Sequence, residues 1–121
     1  MFHGLMGLRI RKLSMYARRM KSWEEGFKEF VSVLCMDNVL EAYLVGSRAR
    51  GDYLPYSDYD VVVIVRESSD PLEEAVRLRR LRKHSFPLDL IVLTPSQASD
   101  PIYDEMFRTA IKLCSKLSKD K

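Results

Sequence analysis

Asparagine and glutamine occur once each, at Asn38 and Gln97, and the 121 residues contain two cysteines, one tryptophan and five glycines. No apolar run reaches the roughly 18 residues that a membrane-crossing helix needs. The N-terminus also lacks the apolar stretch and small-residue cleavage site of a secretory leader, so the expected location is cytoplasmic. Cys35 and Cys114 lack the paired spacing of a zinc site or a disulfide framework and fall in helical patterns, so core packing is their expected role. Few amides beside 31% charged residues is a balance that leans towards a thermophilic source.

What is present fits one domain. With 46% hydrophobic residues, a chain of this length can bury a single core but not a second lobe. The net charge of +3 is unevenly spread: residues 1–21 hold six basic residues and no acid, leaving 14 basic against 17 acidic in the rest. The body is mildly acidic, and the basic excess belongs to a tail or extra element. A second basic cluster, from Arg77 to Lys83, falls on an expected helix, where it reads as a solvated face. Nucleic-acid contact by either cluster is not favoured, because charge alone carries no sequence readout.

Caps and periodicity mark the elements. Ser22 with Glu25 three residues later forms a capping box, and Trp23, Phe27, Phe30 and Leu34 then recur at helical spacing. A first helix is expected over about 23–36. The apolar runs at 39–45, 61–65 and 88–93 read as strands, the second of them (VVVIV) buried on both faces. Asp70, Pro71 and Glu73 open a helix that must stop near His84, because Pro87 follows. Asp100 and Pro101 start a last helix with Met106, Ala110, Leu113 and Leu117 along one face. The expected fold class is α/β, an α+β-like mixed sheet of about three strands flanked by helices.

Chemistry gathers between the first two strands, in GSRARGDYLPYSDYD. Residues two apart on a strand face the same way, so Asp58 and Asp60 can converge while Tyr59 points to the other face. The crossover helix brings the next strand in parallel and delivers Asp89 beside them. Carboxylates on one face repel unless a cation lies between them, and three make an oxygen-rich cage suited to Mg²⁺. Gly46 lets backbone approach a ligand closely, and Gly46 with Ser47 can offer N–H groups to a phosphate. Arg48 and Arg50 fit either solvated loop cations or flanks of a triphosphate.

Gly46-Ser47, ten residues, then Asp58-x-Asp60 resembles the signature of the minimal nucleotidyltransferases, small relatives of the DNA polymerase beta and kanamycin nucleotidyltransferase superfamily. Asp89 falls where that family's third carboxylate usually lies. The resemblance implies a nucleotidyltransferase fold over residues 22–117, with 1–21 and the polar 118–121 outside it. It implies that Asp58, Asp60 and Asp89 are catalytic and bind Mg²⁺, with Gly46, Ser47, Arg48 and Arg50 on the nucleotide, ATP. Short stand-alone members typically pair with a HEPN-type toxin as its antitoxin, and some transfer AMP to a tyrosine of that toxin. Such a partner is therefore expected here. Two alternatives remain: a module that merely covers its partner's active site, and a nucleotidyltransferase acting on RNA or a small molecule. Arg79, four residues, then His84 resembles the HEPN ribonuclease motif, but HEPN domains are all helical and this stretch lies in an α/β unit.

Overall fold

A computed structural model describes the backbone of residues 2–116 and, in the first helix, side chains from residue 17 onward. The tail side chains Leu5, Leu8, Ile10 and Leu13, and the chain end from Leu117, lie outside the described residues. In chain order the elements are α1 (Phe2–Met36), β1 (Glu41–Val45), α2 (Gly46–Arg50), β2 (Tyr59–Ile64), α3 (Pro71–Arg79), β3 (Leu88–Leu93), α4 (Pro95–Ala98), a 3₁₀ turn (Pro101–Tyr103), α5 (Asp104–Arg108) and β4 (Ile111–Ser115). The fold is α/β, with a mixed sheet in the order β3-β2-β1-β4. β2 and β3 are parallel through the α3 crossover, whereas β1 runs antiparallel to both β2 and β4.

The central strand is a run of β-branched residues, and Val61, Val62 and Val63 are all fully buried. One face of the sheet packs Val61 and Val63 against Phe30 and Leu34 of α1, Leu78 of α3 and Phe86. The other packs Val62 and Ile64 against Tyr103, Met106 and Phe107. Asp70 caps α3 through the Leu72 amide at 3.0 Å, with Pro71 in its first turn. The helix ends at Arg79, short of the expected His84, and unwinds through i→i−3 bonds from Arg80 to Arg82. Among the described residues, no helix is long and apolar enough to cross a membrane.

Three expectations are corrected. α1 does not begin at the Ser22–Glu25 capping box but runs through it from Phe2, since no proline interrupts the segment and its Met, Ala, Arg and Lys residues favour helix. Second, the last helix stops at Arg108, and 111–115 form β4 instead. Ile, Cys and Ser are modest helix formers, and here they pair with β1, which would otherwise be an edge with unpaired backbone groups. The sheet therefore has four strands rather than about three. Third, the cysteines are not free: β4 sets Cys114 opposite Ala42, and Cys35 and Cys114 are disulfide-bonded with Cα atoms 6.0 Å apart.

Candidate active site

α2 follows β1 without a loop because Gly46 takes φ +76°, a left-handed conformation that side chains disfavour. The glycine also makes room. A Cβ on Gly46 would stand 2.2 Å from Oδ2 of Asp60, so the Asp60 carboxylate occupies the space a side chain would fill. Gly51 ends α2 at φ +87° with nothing within 4 Å of where its Cβ would lie. Its freedom serves the turn alone.

Asp60 is the register partner of Asp89 across the parallel β2–β3 pair. Both line one open cleft of about 430 Å³, together with Gly46, Arg50 and, from α5, Glu105 and Met106. The Asp60 carboxyl is held above its ordinary value, first by burial and then by the charges of Asp89 and Asp58, with Arg50 opposing the shift. Asp58 lies just before β2, exposed to solvent. Asp60 thus feels the charge of both other aspartates, but only Asp89 lines the cleft with it. Among the described residues, no three His, Cys, Asp or Glu side chains gather closely enough to hold a metal ion alone. Mg²⁺ is usually bound by one or two carboxylates and completed by substrate phosphates, and a crowded pair of hard-oxygen donors at an open cleft fits that mode.

The two arginines part company. Arg50 lines the carboxylate cleft. Arg48 faces the opposite side, in a separate cleft of about 270 Å³ bordered by Glu24, Phe27, Lys28, Leu44, Tyr53 and Tyr59. Tyr59, alternating with Asp60 along β2, points to the α1 face as its position in the strand requires. The residue is 4% exposed, and its ring stacks on that of Phe27 at 4.6 Å. Burial raises the Tyr59 hydroxyl's pKa against the opposing Arg48 charge. Sequence reasoning missed Glu105, the third carboxylate lining the cleft beside Asp60 and Asp89, ion-paired with Arg108. It lies in the first turn of α5, inside the expected last helix, and no local signal singled it out.

Comparison with known proteins gives four results. The nucleotidyltransferase domain family matches residues 25–119. A curated relative from Methanocaldococcus jannaschii, named as a candidate protein adenylyltransferase, is 30% identical over 84 residues, 69% of this chain and 79% of its own. The crystal structure of a candidate nucleotidyltransferase from Sulfolobus solfataricus shares the fold, with TM-score 0.53, 24% identity and 86% of each chain covered. A toxin–antitoxin structure with AMP-PNP resembles it in outline only, at TM-score 0.49 and 18% identity over 78% of this chain and 74% of that one.

Proposed function

Because this chain belongs to the nucleotidyltransferase domain family, we propose that it transfers AMP from ATP to a hydroxyl of a partner protein, a tyrosine of a HEPN-type ribonuclease toxin, and so acts as its antitoxin. The observation that carries the transfer chemistry is the register of Asp60 with Asp89 beside Gly46, at the mouth of an open cleft. Support for a protein acceptor comes from the M. jannaschii relative's name, and support for a toxin from the signature's resemblance to the stand-alone minimal nucleotidyltransferases. The catalytic unit is residues 22–117, the family match beginning at residue 25, with 1–21 an added element.

In this reading Asp58 and Asp60 would hold the Mg²⁺ on the triphosphate, where it would supply charge neutralisation as pyrophosphate leaves, and Asp89 would face the acceptor side, on a second metal or as the base. Gly46 and Ser47 offer donors to the terminal phosphates, and Arg50, on the same cleft, balances their charge. Asp89 takes the proton of the acceptor hydroxyl. That oxygen then bonds the α-phosphorus, the bond to the bridging oxygen breaks, and pyrophosphate departs. The protein's contribution is position and charge, as elsewhere in phosphoryl chemistry.

Calorimetry of ATP binding tests the site. Affinity should require Mg²⁺ and weaken at least about tenfold in Asp58→Asn and in Asp60→Asn, with the fold intact, while Asp89→Asn keeps the nucleotide and loses transfer. Unchanged affinity in both of the first two variants would overturn the assignment.

A further inference from the structure

We propose that Arg48 is a positioning residue, a clasp that holds the 51–58 loop against β2 and thereby sets Asp58, without touching the nucleotide. The proposal rests on the reading of Asp58 as a metal ligand. Arg48 Nε donates to the Ser57 carbonyl at 3.0 Å, one residue before Asp58. Its guanidinium carbon lies 3.8 Å from the centroid of the Tyr59 ring and 4.5 Å from that of Tyr53. One side chain of α2 thus contacts the beginning of the loop, its last turn and the first residue of the strand. Tyr59 gives the clasp a rigid floor, since its ring is stacked on Phe27 and meets Phe86 edge-on at 5.4 Å.

The loop's own hydrogen bonds, Ser57 N to Leu54 O at 3.0 Å and Leu54 N to Ser57 Oγ at 2.9 Å, shape its turn but do not tie it to the sheet. Arg48 supplies that tie. Its direction settles what it does not do: Tyr59 and Asp60 are successive residues of β2, so a group lying on the Tyr59 ring is on the far side of the strand from the Asp60–Asp89 cleft. Arg48 accordingly borders the α1-side cleft and Arg50 the carboxylate cleft. The geometry also requires a guanidinium. A planar cation can lie flat on an aromatic ring while its edge donates to a carbonyl, whereas an ammonium, a hydrated point charge, has no flat face and edge with which to do both at once.

The test compares Arg48→Lys and Arg48→Met in the full chain with two readouts. Amide hydrogen exchange of the metal-free, nucleotide-free protein should show residues 54–58 losing protection about tenfold in both variants, with Val61–Ile64 unchanged. ATP binding titrated with Mg²⁺ should need about tenfold more Mg²⁺ in both, with affinity recovered at high Mg²⁺. If lysine preserves both readouts and only methionine loses them, Arg48 acts through its charge and the clasp is wrong. Equal loss of protection in the loop and in β2 would mean general destabilisation, which also overturns it. Should wild type itself fail to bind ATP with Mg²⁺, the proposed function falls, while the exchange experiment still decides the role of Arg48.

Discussion

Replacing Gly46 and Gly51 by alanine, one at a time, separates the cost of backbone shape from the cost of a displaced carboxylate. Both glycines are left-handed, at φ +76° and +87°, so each alanine should cost about 1–2 kcal/mol, or roughly 3–8 °C in thermal midpoint for a chain of this size. Beyond that the sites differ. At Gly46 the new methyl would lie 2.2 Å from Oδ2 of Asp60 but 3.2 and 3.4 Å from its Cγ and Cβ, and at Gly51 it meets nothing within 4 Å. Turning the Asp60 carboxylate aside relieves the clash cheaply, so the two variants should be about equally stable. That turn moves the Asp60 carboxylate from its place in the cleft, and a displacement of about 1 Å at a reacting group can cost on the order of 100-fold in rate. Gly46→Ala should therefore lose AMP transfer about 100-fold, and Gly51→Ala should transfer within about threefold of wild type. Thermal melts and timed transfer assays on both variants check this. Full activity in Gly46→Ala, or equal losses in the two, would refute the claim that Gly46 is there for Asp60.

The Cys35–Cys114 bond spans 79 residues, and chain entropy assigns such a closure about 4.5 kcal/mol; reduction should lower the midpoint by more than about 10 °C, and two titratable thiols in unreduced, denatured protein would contradict the bond. A second measurement concerns Asp37 at the end of α1, whose carboxyl is held below its ordinary value chiefly by the Arg77 hydrogen bonds, at 2.8 and 3.1 Å. A lowered folded pKa gives stability that is present above the unfolded value and is lost as pH falls through the folded one. Arg77 is 46% exposed, so Asp37→Asn should cost no more than about 1 kcal/mol at pH 7. In urea titrations the gap should close in strong acid; one that persists there would not come from this ion pair.

The parts of this protein legible in its sequence are those where local chemistry and tertiary demand agree. VVVIV can only be a buried strand, Asp70-Pro71 caps α3 as read, and the alternation of Tyr59 with Asp60 puts an aromatic in one core and a carboxylate on the other face. The illegible parts are set at a distance. Residues 111–115 carry helix-compatible spacing, and only the open edge of β1 and the reach of Cys35 draw them into β4. Ser22 and Glu25 satisfy a capping pattern inside a helix that passes straight through them. Arg48 and Arg50 look alike in sequence, and one residue of separation on a five-residue helix sends them to opposite faces of β2.

The central claim is tested most directly by intact-mass spectrometry of a HEPN-type partner incubated with this protein, ATP and Mg²⁺. Each transferred AMP adds about 329 Da as pyrophosphate leaves. The account predicts one or a few such increments on a partner tyrosine, loss of the partner's ribonuclease activity, and neither change with the Asp58→Asn, Asp60→Asn double variant. A partner that gains no mass yet is inhibited equally by wild type and the double variant would contradict it, and would make occlusion the mechanism.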